Sequence, residues 1–167
     1  MDQRLNMIFA RRSIRRYQTK PIPEVDVRSL LEAAMAAPSA NNSRPWSFVA
    51  TTDRKLLKAL ADALPYGKML ADAALAITIC ADTSRSAWWV QDCSAAAENI
   101  LIAAAGLGLG GVWLGVYGRL EREAAVRRIL GMPDSVAVMC VISLGHPDES
   151  KEPRTQYDES VVHRERW

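Results

Sequence analysis

Residues 89–116 read WVQDCSAAAENILIAAAGLGLGGVWLGV, and this stretch decides the class of fold. Residues 89–107 place apolar side chains at the helical period, and alanine fills much of the remainder. A helix that is apolar nearly all round belongs at the centre of a domain. Residues 111–116 form a short apolar run that predicts a strand. The stretch therefore predicts a central helix that leads into a sheet.

The glycines at positions 106, 108, 110 and 111 separate this helix from this strand. A dinucleotide-binding fingerprint needs a strand before its glycines and a helix after them, with the spacing G-x-G-x-x-G. Here the helix comes first, so we reject that interpretation. We expect a helix C-terminal cap, with Gly115 placed where a backbone amide can approach a ligand closely.

The remaining expected elements are a mixture of helices and strands on either side of this stretch. Helices are expected over 2–10, 23–37, 53–64 and 121–130, and strands over 46–51, 73–80 and 136–144. Pro23 favours a helix start, and Gly131 favours a helix end. The order predicts one sheet covered by helices, in the α/β or α+β range, within a single domain.

Composition excludes several classes of protein. The chain has 167 residues, 49% apolar and 24% charged, with a net charge of +2. That charge is too small to predict nucleic-acid or membrane binding, and no apolar run is long enough to span a membrane. We expect no signal peptide. The three cysteines form no CxxC pair, so we expect buried core residues in a reducing cytoplasm rather than disulfides or a zinc site.

The densest basic cluster is Arg11-Arg12-Ser13-Ile14-Arg15-Arg16, after a predicted helix. Its side chains and backbone amides can converge on one anion, because arginine forms forked hydrogen bonds with phosphate oxygens. From these residues alone, a phosphate-binding site and a stretch of solvent-exposed charges are equally favoured interpretations, and nucleic-acid binding is less favoured. The cluster therefore suggests a phosphate site without deciding for it.

Residues 38–46 form a loop of small polar residues bracketed by Pro38 and Pro45. Such a loop can present amides to a flat heterocycle, although the pattern alone predicts only a good turn. His146 and His163 lie in the tail, and no nucleophile elbow, metal-ligand spacing or phosphate loop is present. A chain without acid, base or metal candidates fits an enzyme whose cofactor carries the reaction.

The last segment, residues 146–167, has many charges and little apolar periodicity, yet it ends in Trp167. It is either disordered or wraps a partner subunit, because a terminal tryptophan favours a surface to bury against. Trp88, Trp89 and Trp113 are candidates for lining a pocket, with core packing the favoured alternative for each.

Together these pieces resemble the nitroreductase family of flavoproteins over nearly the whole chain. The resemblance lies in six segments: residues 11–15 (RRSIR), 37–48 (APSANNSRPWSF), 66–70 (YGKML), the helix 89–107, 112–116 (VWLGV) and 161–167 (VVHRERW). It implies an α+β fold, an α/β/α sandwich with a central mixed sheet. It also implies a single domain over 1–167 that forms an intertwined homodimer, with residues 146–167 embracing the partner.

The resemblance further implies an FMN site at the dimer interface. Arg11, Arg12, Ser13 and Arg15 would hold the phosphate, and Arg154 is a possible additional ligand. Lys68 would lie near the isoalloxazine or ribityl group, and the backbone of Leu114 and Gly115 would face the ring. The other subunit would supply the loop residues Pro38, Ser39, Ala40 and Asn42.

The implied activity is FMN-dependent, ping-pong transfer of hydride from NAD(P)H to nitroaromatic, quinone or related small-molecule acceptors. No side chain is expected to be catalytic and no metal is expected, since flavin N5 carries the hydride. Lys68 suits stabilisation of negative charge near N1 and C2=O. Few residues follow Gly115 to build a lid, so the site would be open. The alternatives are flavin-dependent reductive dehalogenation, flavin fragmentation, or a flavin-binding protein without turnover.

Overall fold

The computed structural model describes residues 2–167, which form helices on both sides of a four-stranded sheet. The helices are α1 (Asn6–Ala10), α2 (Glu24–Met35), α3 (Arg54–Ala63), α4 (Trp89–Gly106) and α5 (Leu120–Leu130), and the strands are β1 (Trp46–Thr51), β2 (Leu75–Asp82), β3 (Gly110–Gly115) and β4 (Val136–Gly145). Short 3₁₀ turns lie at Gln3–Leu5, Ala40–Asn42, Lys68–Ala71 and Glu159–Val161.

The sheet has the strand order β1-β2-β4-β3, and each neighbouring pair is antiparallel. The α+β class is therefore confirmed. The expected mixed sheet is not seen within residues 2–167, because every neighbouring pair of strands runs in opposite directions. The parallel pairing observed there is an isolated bridge between Ser13 and Gly111.

Side chains of the central strand β2 alternate between two apolar layers, as the period of a strand requires. Leu75 and Ile77 pack in one cluster with α4 residues such as Ile100. Ala76, between them, packs in a second cluster with Leu60 of α3. Helices α2 and α4 contact each other on one side, and α3 and α5 on the other, which confirms the α/β/α sandwich.

Helix α4 is central, as predicted from its alanines. Its residues Cys93, Ala96, Ile100 and Ala104 are buried. The helix ends at Gly106, and Gly108 then takes a positive φ of 70° before β3 begins. The glycines thus follow a helix and precede a strand, so their rejection as a dinucleotide fingerprint is confirmed.

The three cysteines are buried and free. Burial raises the pKa of Cys80 to about 11 and that of Cys93 to about 12. Burial also raises the pKa of Cys140. All three thiols therefore stay protonated at neutral pH and pack as small apolar side chains, as predicted.

Most elements differ from the sequence-based expectations by one or two residues at an end, and two elements differ more. The helix expected over 2–10 divides into a 3₁₀ turn, capped by the side chain of Asp2, and the short helix α1. The strand expected over 73–80 begins at Leu75 and extends to Asp82, which pairs with Val136 of β4. Both differences lie at element ends, where side-chain periodicity carries little information.

The tail, residues 146–167, is hydrogen-bonded to the rest of the chain at its start and exposed to solvent at its end. Residues 146–154 hydrogen-bond to the N-terminal segment, for example from the backbone N–H of Asp148 to the carbonyl of Arg16 at 2.8 Å. Val161 is 71% exposed and Trp167 is fully exposed. Across residues 2–167, no helix is both long and apolar enough to cross a membrane.

Candidate functional site

The basic segment, residues 11–18, is fixed by backbone contacts with β3 and with the chain that follows β4. Ser13 forms a parallel bridge with Gly111, and the N–H of Ile14 donates to the Gly111 carbonyl at 3.0 Å. Further along, Gln18 donates to the carbonyl of His146 at 2.9 Å. The segment therefore lies across the end of the sheet as a defined strand-like stretch rather than as a free surface run.

Two glycines allow this close approach. An ideal Cβ on Gly110 would lie 2.6 Å from Ile14 Cγ2, and one on Gly145 would lie 2.7 Å from Tyr17 Cδ1. The Tyr17 hydroxyl lies 2.8 Å from the carbonyl oxygen of Ile14 and 3.2 Å from that of Ser143. Burial raises the pKa of Tyr17 to about 12. The hydroxyl is thus a neutral donor that fixes the segment to β4.

Two tail residues complete the anchoring. The Arg15 N–H donates to Glu149 Oε1 at 2.6 Å, and Lys151 Nζ donates to the Ser13 carbonyl at 2.5 Å. Lys151 Nζ also lies 3.4 Å from Glu149 Oε1. The hydrogen bond from Arg15, together with Lys151, lowers the pKa of Glu149. The backbone N–H of Arg15 therefore donates to a negatively charged oxygen of its own chain.

The arginine side chains of the segment point to neighbouring hollows rather than to one. Arg11 Nε lies 3.0 Å from Glu98 Oε1, and Arg12 donates to the carbonyl of Glu152. Both line a cavity of about 210 Å³ that Lys151 also lines. Arg154, whose N–H donates to the Phe9 carbonyl, borders an adjacent hollow with Arg11. Arg15 lines a different cavity, at the end of β3.

That cavity has a volume of about 250 Å³. Its lining residues are Arg15, Leu64, Pro65, Tyr66, Trp113, Leu114, Gly115 and Arg122. Three of the sequence-predicted site residues, Arg15, Leu114 and Gly115, thus meet in one place. Gly115 is exposed, and an ideal Cβ on it meets no atom within 4 Å. A flat ring therefore has room to lie directly against this backbone.

Lys68 is not among the residues that line this cavity. It is exposed and begins the turn Lys68–Ala71. The preceding Gly67 packs closely, since a Cβ there would lie 2.7 Å from Leu64 Cβ. Tight packing of Gly67 fixes the turn between Tyr66, which lines the cavity, and Lys68, which follows it. The predicted role of Lys68 at the ring stays a prediction.

The loop that carries Pro38, Ser39, Ala40 and Asn42 is held on the first turn of α4. The Ala40 N–H donates to buried Asp92 Oδ1 at 2.9 Å, and Ser86 Oγ donates to Asp92 Oδ2 at 2.7 Å. Asn42 has a positive φ of 54°. None of the four predicted loop residues lines the cavity at the end of β3, so one chain does not bring the two motifs together there.

Four residues that line the cavity were not assigned to the site from the sequence: Leu64, Pro65, Tyr66 and Arg122. Arg122 Nη1 lies 3.2 Å from the carbonyl oxygen of Gly115, and its Cζ lies 6.0 Å from the centre of the Tyr66 ring. Arg122 stands on the predicted helix α5 without any pattern that marks it as functional. Tyr66 could be found, because it precedes Gly67-Lys68 in a segment that carries the family resemblance.

The tryptophans divide into three environments. Trp113 is partly buried and lines the cavity. Trp89 packs against the core and stacks edge-on against Tyr117, with ring centres 4.8 Å apart. Trp88 is 59% exposed, so the expectation of core packing is wrong for this residue. It directly precedes α4, where the chain has left the packed layer.

The cavity at the end of β3 thus combines two guanidinium groups with two aromatic side chains and an open strand backbone. No carboxylate is among its lining residues. Aromatic rings and backbone favour a flat ligand, and unneutralised guanidinium groups favour an anionic one. The site is suited to a planar ligand that carries negative charge.

Comparison with known sequences gives a family match that spans most of the chain. The model of the Nitroreductase family matches residues 8–65 and 62–146. A protein of Archaeoglobus fulgidus, provisionally named NADH dehydrogenase/NAD(P)H nitroreductase, is 47% identical over 174 residues, and the alignment covers the full length of both chains.

Solved structures show the same architecture. A Bacteroides thetaiotaomicron protein with the same provisional name superposes with a TM-score of 0.96 at 41% identity, covering 100% of this chain and 99% of the other. An FMN-dependent nitroreductase of Clostridium difficile superposes with a TM-score of 0.93 at 32% identity, covering 98% of this chain and 99% of the other.

Proposed function

Because the chain belongs to the nitroreductase family, we propose that it is an FMN-dependent oxidoreductase that takes hydride from NAD(P)H and passes it to a small-molecule acceptor. The observation that carries the proposal is the cavity at the end of β3. There Gly115 offers open backbone beside Tyr66 and Trp113, and Arg15 supplies positive charge. FMN is a planar ring with an anionic phosphate, so these residues fit it.

Arg11, Arg12, Ser13 and Arg15 are the proposed phosphate ligands. The segment supports this role because backbone contacts with Gly111 and His146 hold it in a defined position. Its guanidinium groups and the Ser13 hydroxyl are donors that suit phosphate oxygens. Arg154 is a proposed additional ligand, since it borders the hollow beside Arg11.

We propose that the working unit is a homodimer and that each site draws on both chains. Pro38, Ser39, Ala40 and Asn42 are the residues that the other subunit would contribute to the ring. Val161 and Trp167 support the proposal, because both are exposed on their own chain and surrounded by charge. Exposed large apolar side chains in a tail favour burial against a second copy. The proposed domain is one unit over 1–167. Residues 146–154 are bound to their own N-terminal segment, so the part of the tail proposed to embrace the partner is 155–167.

In the mechanism, bound FMN supplies the hydride chemistry. The chain's own residues would orient the ring, because Leu114 and Gly115 offer it open backbone. Lys68 would supply a positive charge to stabilise the negative charge that reduction adds near N1 and C2=O. No side chain is assigned as a general acid.

The acceptor is proposed to be a nitroaromatic, a quinone or a related compound. Only residues 116–119 separate β3 from α5, so no lid is built over the cavity from this connection. An open site would admit flat acceptors of several shapes and would let NAD(P)H and the acceptor bind there in turn.

The proposal is tested by anaerobic mixing of the FMN-loaded protein with NADH or NADPH. The flavin absorbance should fall and should return when a quinone is added. Initial rates at several acceptor concentrations should give the parallel double-reciprocal lines of a ping-pong reaction. Flavin that keeps its absorbance with both donors would contradict the proposed activity.

A further inference from the structure

We infer that Arg122 is a specificity-determining residue, which binds an anionic group on the electron acceptor and so favours acidic aromatic acceptors over neutral ones. The inference rests on the proposed function, because it concerns the same cavity. It assigns a role to a residue that neither the sequence motifs nor the phosphate cluster includes.

The position of Arg122 supports the inference. Its Nη1 donates to the Gly115 carbonyl at 3.2 Å, so the guanidinium is held beside the backbone on which the ring would lie. Its Cζ lies 6.0 Å from the centre of the Tyr66 ring. The side chain is thus oriented by one hydrogen bond and one aromatic face, with further N–H groups left to donate.

The charge balance of the cavity points the same way. Arg122 is partly buried and forms no ion pair with another residue among positions 2–167. Of the two neighbouring acids on α5, Glu121 is exposed, and Glu123 accepts a hydrogen bond from the N–H of Gly118 at 3.0 Å. Arg15 also lines the cavity, but the proposed phosphate would neutralise it. Arg122 then remains as the unneutralised cation.

The aromatic residues define the rest of the ligand. Tyr66 and Trp113 line the same cavity as Arg122, so they would border both the proposed flavin ring and a flat acceptor beside it. A guanidinium forms forked hydrogen bonds with a carboxylate, a geometry that a neutral substituent does not reproduce. The acceptor that this arrangement favours is an aromatic ring that carries a carboxylate or sulfonate.

The experiment compares two acceptors of similar size, 4-nitrobenzoate and 4-nitrobenzyl alcohol, in the FMN-loaded wild-type protein and in Arg122→Gln. The variant should raise the ratio of the KM for the acid to the KM for the alcohol by about tenfold, the size of one lost charge-assisted hydrogen bond. Arg122→Lys keeps the positive charge but loses the forked pair of N–H donors. Its ratio of the two KM values should therefore lie between those of the wild type and Arg122→Gln.

A binding measurement without turnover accompanies the kinetics. Calorimetric titration of the oxidised protein with benzoate should give a Kd about tenfold higher in Arg122→Gln, while benzyl alcohol should show no such change. Arg128→Gln is the matched control, because Arg128 lies on the same helix, is exposed and is not among the cavity's lining residues. In Arg128→Gln the ratio of the two KM values and the Kd for benzoate should equal those of the wild type.

The outcomes separate the inference from the proposed function. Equal ratios in the wild type and in both Arg122 variants would overturn the role of Arg122 while leaving the oxidoreductase intact. A change confined to the KM for NADPH, with NADH unaffected, would place the anion on the donor and also overturn the assignment. A wild-type protein that reduces neither nitro compound with either donor would instead contradict the proposed function.

Discussion

Gly110 and Gly145 lie opposite each other in the β3–β4 pair, and the space above them is filled by side chains of the basic segment. Ile14 occupies the first position and Tyr17 the second. The two glycines therefore decide how closely the basic segment approaches the sheet. Arg15 lies between Ile14 and Tyr17, so its position beside the cavity depends on this packing.

Replacing Gly110 with alanine should destabilise the fold. The new Cβ would lie within 2.9 Å of three Ile14 side-chain atoms, and overpacking of this kind costs about 1–3 kcal/mol. Gly115→Ala is the matched control on the same strand, because its Cβ meets no atom within 4 Å. Urea unfolding of both variants without added flavin checks this, and equal midpoints for the two would contradict the packing account.

The alkaline stability of the protein should depend on Tyr17. Burial holds its folded pKa at about 12, above the ordinary value of 10.0, so its contribution is complete below pH 10 and is lost as the pH rises to about 12. A two-unit difference corresponds to about 2–3 kcal/mol. Unfolding free energies measured from pH 9 to 12 should fall more steeply in the wild type than in Tyr17→Phe.

At neutral pH, Tyr17→Phe should itself cost about 1 kcal/mol through the lost hydroxyl hydrogen bonds. Parallel pH profiles in the two proteins would show that the Tyr17 hydroxyl is not the group that couples stability to high pH.

Much of the fold follows from the sequence, because periodicity and end signals agree. Strand β1 has the predicted bounds, and Gly131 ends α5 with a φ of 64°. The pairing of Gly110 with Gly145 could not be predicted, because it depends on which strands become neighbours. Contacts between distant segments of a chain carry no local signal.

The candidate site could be predicted only where its residues belong to segments with a local pattern. Arg15, Leu114 and Gly115 belong to recognisable segments, and they meet in one cavity. Arg122 carries no such mark, since an arginine in the first turn of an amphipathic helix is typical of a solvated face. Only the fold brings it within hydrogen-bond distance of Gly115.

Replacing Arg11 and Arg15 together with alanine should weaken FMN far more than riboflavin, which lacks the phosphate. Each charge-assisted hydrogen bond lost costs roughly 1.5–3 kcal/mol, or about one to two decades in affinity. Arg16→Ala is the control, because Arg16 is exposed and is not among the residues that line the cavity beside Arg15. Fluorescence titration measures both affinities, and an equal loss for the two flavins would argue against phosphate contact.

Deleting residues 156–167 should abolish the dimer and weaken FMN at the same time. The truncation keeps Lys151 and Arg154, whose contacts are with the chain itself, and removes the exposed Val161 and Trp167. Each large apolar side chain buried on a partner contributes on the order of 1.5–3 kcal/mol to association. Sedimentation of the truncated protein checks this, and a dimer that binds FMN normally would show that the tail is dispensable.

The flavin content of the purified protein tests the central claim most directly. The protein should be yellow, and heat denaturation should release one FMN for each chain. The single phosphate of FMN distinguishes it from riboflavin and from FAD. A colourless protein that also gains no flavin absorbance after incubation with excess FMN and gel filtration would contradict the assignment of this chain as an FMN-dependent oxidoreductase.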